Sequence, residues 1–116
     1  MEVAAIVLGL AALGGLTLAA IRLSGTPRPP TWMALGHGAV AASGLVLLGY
    51  AAATSAIPQL AQIALGVLVL AALGGTTIFL GFHMRQRPLP IPFVIGHGLL
   101  ALTGLVLLLV TIFRGP

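Results

Sequence analysis

The chain has no cysteine, no lysine and a single acidic residue, Glu2. Each absence removes a class of chemistry. Without cysteine there is no covalent c-type haem attachment, no cysteine-ligated iron–sulfur cluster, no disulfide and no thiol nucleophile. With one side-chain carboxylate, placed at the N-terminus, paired-carboxylate catalysis, a carboxylate-lined Ca²⁺ or Mg²⁺ site and an Asp/Glu proton relay are excluded as well. Charged residues make up 5% of the sequence, against about 25% in an ordinary soluble domain. The five arginines leave the chain basic, but they are too few, and too closely tied to connections, to form a nucleic-acid footprint. What remains for chemistry is histidine, at positions 37, 83 and 97.

Apolar residues, 59% of the chain, fall into four long runs. A transmembrane helix needs about 20 mostly apolar residues, and residues 3–23, 31–53, 58–83 and 91–113 each meet that length. The start lacks the basic stretch of a cleaved signal, so the first run is expected to be a true span. Pro30, Pro58 and Pro92 fall at or just before the starts of runs, where a missing N–H is harmless. The sequence therefore predicts an all-α membrane protein, a bundle of four transmembrane helices with short, antiparallel connections.

An ungapped shift of 60 residues aligns 1–56 with 61–116 and leaves 20 of those 56 positions identical. The matches include Leu10-Ala11-Ala12-Leu13-Gly14-Gly15 with its copy at 70–75, Gly36-His37-Gly38 with Gly96-His97-Gly98, and Gly-Leu-Val-Leu-Leu at 44–48 and 104–108. The repeating unit is a helix hairpin, 1–56 and then 57–116, within one membrane domain. A hairpin crosses the membrane an even number of times, so the two units are parallel repeats about an axis along the membrane normal. Arg22, Arg28, Arg85 and Arg87 all lie in the connections at one face. The positive-inside rule puts those loops in the cytoplasm and both termini outside the cell (inner or plasma) membrane.

A histidine inside a span is costly and marks a functional candidate by default. His37 and His97 each lie six residues into a run, about 9 Å of helical rise below its start. Helical spacing places Ala41, Gly44 and Leu48 below His37, and Ala101, Gly104 and Leu108 below His97. Each histidine thus heads a stripe of small residues that admits a flat group or a neighbouring helix. A haem b needs two axial imidazoles from facing helices, an apolar slot and small residues at the ring edge. His37 and His97 are the expected ligands of one iron, with Gly36, Gly38, Gly44, Gly96, Gly98 and Gly104 around the ring. Arg22, Arg28, Arg85 and Arg87 are placed to pair with the propionates.

On these residues the chain resembles the four-helix b-type membrane cytochromes of the cytochrome b561-like kind. The resemblance lies in four spans, histidines facing one another between helices, and glycines beside them. It implies a haem-bearing electron carrier or membrane-anchor subunit. Members of that class commonly hold two haems on four histidines, whereas three are present here, so one bis-histidine haem is the most this chain can seat. The other reading of the pair is structural: interhelical polar contacts, copied by duplication. His83 has Leu23 as its counterpart. It reads as an interfacial histidine beside snorkelling arginines, or else as a quinone head-group contact or an alternative axial ligand. The mid-helix pairs Gly14-Gly15 and Gly74-Gly75 read as a tight crossing of the first and third helices. Trp32 and Tyr50 read as interfacial belt residues.

The function expected is therefore a small integral-membrane haem b protein with no catalytic machinery of its own. It would exchange electrons with a quinone or a redox partner protein, within the bilayer and as a homo-oligomer or part of a larger membrane complex. A cofactor-free accessory or assembly subunit is the alternative. A small oligomeric transporter fits less well, because buried carboxylates and broken helix centres are missing.

Overall fold

The computed structural model describes residues 1–115. Among them it is all helix and turn, with no strand. Helix α1 spans Glu2–Leu23, α2 Thr31–Thr54, α3 Gln59–Ile78 and α4 Ile91–Arg114. The end of α3 widens into a π-helical turn, Phe79–His83. There the amides of Met84 and Arg87 donate to the carbonyls of Phe79 and Phe82, five residues back, at 2.8 and 2.9 Å. The four apolar runs thus form helices at close to the expected bounds, and the π turn is the one element that the apolar pattern did not signal.

Prolines set the helix starts. Pro30, Pro58 and Pro90 occupy the N-cap positions of α2, α3 and α4, and each carbonyl accepts from amides three or four residues on. Gly25 closes α1 at φ +112°, a conformation that side chains disfavour, while the Thr26 amide donates back to the Ile21 carbonyl. The arginine-bearing loops, 24–30 and 84–90, are tied to each other. Arg22 Nε donates to the Leu89 carbonyl at 2.8 Å, and the Leu89 amide donates to Pro27 at 3.1 Å.

Helices α1 and α2 pack as one hairpin and α3 and α4 as the other; α1 also packs on α4, and α2 on α3. The bundle is 45 Å long and about 20 Å across, close to the roughly 40–45 Å of a bilayer with its head groups. All four helices are long and apolar enough to cross a membrane. Their outer faces carry the large side chains: Leu10, Leu13, Leu70 and Leu73 are all more than half exposed. Small residues and histidines turn inward. That inversion of the soluble pattern suits a hydrocarbon surround.

The interior differs between its two ends. Towards the termini it is tightly filled by Ala4, Leu8, Leu48, Ala61, Ala64, Leu68 and Leu108. Leu48 and Leu108 are fully buried. Gly44 and Gly104 let the helices of each hairpin close: a Cβ on either would stand 2.6 Å from Cγ of Leu8 or Leu68. Towards the arginine loops the interior opens into a cavity. The packed end is the anchor that fixes helix spacing at the hollow end.

The glycines make a discriminating test. Gly44→Ala and Gly104→Ala must displace a leucine that has no slack, and each is expected to destabilise the bundle by about 1–3 kcal/mol. Gly9, with nothing within 4 Å of its would-be Cβ, should accept alanine without loss and gain up to about 1 kcal/mol from helix propensity. Denaturant unfolding in mild detergent, followed by helical circular dichroism, compares the three.

Candidate functional site

The cavity between the two hairpins has a volume of about 490 Å³, within the roughly 300–1,000 Å³ typical of small-molecule and cofactor sites. Its walls are overwhelmingly apolar and come from all four helices. Small residues make the space: Ala12, Gly15, Ala41, Ala72, Gly75 and Ala101 stand where larger side chains would fill it. Exposed residues at its margins, Leu16 and Leu102 on one side and Leu35 and Leu80 on the other, show that it opens laterally.

His37 and His97 project into this space from α2 and α4. Their ring centres are 6.3 Å apart and their planes 84° to each other. Each ring is tied to its own hairpin by the same hydrogen bond. Nδ1 of His37 lies 2.8 Å from the Ala11 carbonyl, and Nδ1 of His97 lies 2.7 Å from the Ala71 carbonyl. A carbonyl can only accept, so Nδ1 carries the proton and donates in both. With the rings neutral, Nε2 keeps its lone pair, and it has no partner among the described residues.

The glycine pairs form the seats for these rings. A Cβ on Gly15 would come within 2.9 Å of His37 Cε1, and one on Gly75 within 2.8 Å of His97 Cε1. The mid-helix glycines therefore hold imidazoles against α1 and α3. They do not serve a crossing of those two helices, because α1 and α3 occupy opposite corners of the bundle and each packs chiefly on α2 and α4. The reason is steric: a ring lying on a helix backbone leaves no room for even one methyl group.

A neutral imidazole nitrogen with a free lone pair is a ligand type for a transition metal, and both rings line the one cavity. Imidazoles bound on opposite sides of one ion, at about 2.0–2.1 Å with a ring radius of about 1.1 Å, have centres about 6.2–6.4 Å apart. The ring centres here are 6.3 Å apart, a spacing that an edge-to-face contact between two rings also gives. A hydrogen bond from the second ring nitrogen to a carbonyl is also the usual way a ligand imidazole is oriented. No group of three or more His, Cys, Asp or Glu side chains able to hold a metal occurs among the described residues.

The other residues singled out in the sequence divide. Gly38, Gly98, Arg22 and His83 line the cavity with the histidine pair. Gly36 and Gly96 are exposed and face away from it. Gly44 and Gly104 lie in the packed end against Leu8 and Leu68, because one helical turn past Ala41 and Ala101 the leucines have already closed the space. Arg28, Arg85 and Arg87 are exposed on the loops and do not reach the lining. His83 is not an exposed interfacial residue. It is 4% exposed, stacks on Phe79 with ring centres 5.1 Å apart, and has Nε2 3.0 Å from Thr31 Oγ1. The π turn carries it inward.

In comparisons with protein-family models, curated proteins and solved structures, the chain matches none. The reading of the site rests on its own geometry. Sequence reasoning missed the two glycine seats and the Ala11 and Ala71 carbonyls. One signal pointed to them: Leu-Ala-Ala-Leu-Gly-Gly and Gly-His-Gly recur together at a constant separation, so that residue 11 relates to 37 as 71 relates to 97.

The hydrogen bonds fix a tautomer that can be measured. In the full chain prepared without added ligand in mild detergent, ¹⁵N NMR of imidazole-labelled protein should show His37 and His97 as the Nδ1–H form, with Nε2 unprotonated. Gly15→Ala and Gly75→Ala should each shift the ring resonances of the histidine they seat and leave the other nearly unchanged.

Proposed function

We propose that the protein is a small integral-membrane haem b protein, a cytochrome b-like electron-transfer or anchor subunit. One haem is held between α2 and α4 by His37 and His97. The observation that carries this reading is the pair of imidazoles from α2 and α4, each oriented through Nδ1, with ring centres 6.3 Å apart and a laterally open apolar slot around them. The two hairpins act as parallel repeats about an axis along the membrane normal, which accounts for the same contacts recurring 60 positions apart. Arginine-rich loops face the cytoplasm, and the termini face outward.

The chain's own residues have clear tasks in this reading. Ala11 and Ala71 hold the imidazoles in the ligating tautomer and strengthen them as donors. Gly15 and Gly75 set the ring positions, while Gly38 and Gly98 leave room for a macrocycle edge. Leucines and alanines exclude water, and Arg22 supplies positive charge towards the propionates. Bound haem supplies one-electron chemistry. With a single haem, electrons pass to a quinone, a partner protein or another membrane subunit, not along a two-haem relay.

A cofactor-free accessory subunit is the second reading, and one observation favours it. Each Nδ1 hydrogen bond already joins two helices, a sufficient structural role in an apolar bundle.

Visible spectroscopy separates the two. A dithionite-reduced minus oxidised spectrum, on protein from cells supplied with haem precursor, should show the sharp bands of six-coordinate low-spin haem. His37→Ala and His97→Ala should each abolish that signature while leaving the helical content intact. A colourless wild-type protein would reject the haem, and a variant that keeps the full spectrum would reject that ligand.

A further inference from the structure

The two ends of the cavity differ in symmetry. At its depth the hairpins agree, His37 with His97 and Gly15 with Gly75. At its loop end they diverge. Positions 22 and 23 are Arg and Leu in regular α-helix, whereas their counterparts 82 and 83 are Phe and His, with the π turn closing at His83. That turn sends an ionisable residue into an apolar interior and away from the loop surface, where Leu23 stays 53% exposed.

His83 uses Nε2 on Thr31 Oγ1, and its Nδ1 has no partner among the described residues. That nitrogen is not sealed in the protein, because no buried side-chain nitrogen or oxygen lacks a hydrogen bond. The residue is 4% exposed and lines the cavity. Arg22 lines the same space. Its Nε is pinned to the Leu89 carbonyl, which leaves the two terminal nitrogens of the guanidinium as donors. No carboxylate offsets its charge there: Glu2, the only acidic side chain, pairs with the N-terminal amine at the far end of α1. A half-buried cation and an imidazole with one unpartnered nitrogen thus line the loop end of the same apolar cavity. Thr31 begins α2 six residues before His37, so this end lies about 9 Å in helical rise from the histidine pair.

We propose that Arg22 and His83 form a carboxylate-binding subsite at the loop end of the cavity, and that the cavity's ligand is an apolar molecule carrying a carboxylate. A haem propionate is the occupant if the haem reading of the previous subsection holds; a fatty acid has the same chemistry. On this assignment His83 is a positioning residue and not an axial ligand. Arg22 comes from the first hairpin and His83 from the second, so the subsite forms only when both hairpins are docked, as the Arg22–Leu89 bond already requires.

The test compares acids with their neutral esters on the full chain, produced without haem supply and purified in mild detergent. Haem and haem dimethyl ester are titrated by visible spectroscopy, and a fluorescent polyunsaturated fatty acid and its methyl ester by emission. A charge-assisted hydrogen bond predicts that the acid form of the occupant binds at least about tenfold more tightly than the ester. Arg22→Gln and His83→Phe should each reduce that ratio towards one; the phenylalanine keeps the stack on Phe79, and circular dichroism verifies the fold. With haem, both variants should retain the low-spin spectrum.

The outcomes are distinct. Acid preference for the fatty acid, with no haem bound, keeps the subsite and rejects the haem reading. Haem bound with no acid preference keeps the haem reading and overturns the subsite. Loss of the low-spin spectrum in His83→Phe makes His83 an iron ligand and overturns its assignment here. Equal affinity for acid and ester with both ligand pairs overturns the subsite outright.

Discussion

Everything at the hollow end of this bundle depends on one interaction made twice, an imidazole N–H donating to a backbone carbonyl of the preceding helix. In water such a bond is a near-even exchange. Inside an apolar bundle the alternative is an unsatisfied polar group, and the bond becomes obligatory. It fixes the angle of each ring, the tautomer, and the way α2 lies on α1 and α4 on α3. Glycine at 15 and 75 is the steric condition for it, because the ring must lie on the backbone to bring Nδ1 within 2.8 Å of its acceptor.

The packed end makes this precision possible. Leu48 and Leu108 are completely buried where Gly44 and Gly104 admit Leu8 and Leu68, and that end holds the four helices at a fixed spacing. At the loop end the connections are stapled through Leu89, whose amide and carbonyl both bind the first hairpin. Between these two ends the lining side chains shrink to alanine and glycine. A cavity is the geometric consequence. The same small residues that elsewhere bring helices into contact here create space, because the contact distance is set at either end.

The division between symmetric and divergent positions bears on function. Equivalent histidines suit a ligand that itself presents two equivalent faces, as a planar macrocycle does to its axial partners. The loop end differs between the hairpins: the first supplies Arg22 to the lining and the second supplies His83. The proposed haem and the proposed carboxylate subsite are thus two parts of one recognition problem, although each stands on its own observation.

Much of the fold was legible in the chain. Four apolar runs bounded by proline gave four helices within a few residues, because burying a backbone in hydrocarbon leaves helix as the only satisfied conformation. His37 and His97 were legible too, since an ionisable group in such a run is conspicuous. Helical spacing points Gly44 and Gly104 to a ring edge, whereas in the fold they pack on Leu8 and Leu68. It marks Gly15 and Gly75 as close-packing positions, and in the fold they seat the imidazoles. Helical periodicity says which residues share a face but not which neighbour that face meets. Nor did any pattern announce the π turn that buries His83. The sequence by itself determined the helices, their order and the residues capable of chemistry, since those follow from local hydrophobicity and backbone hydrogen bonding. Only the tertiary structure decided which side chains share the cavity, because that depends on which helices stand at opposite corners and on a hydrogen bond between residues 26 positions apart.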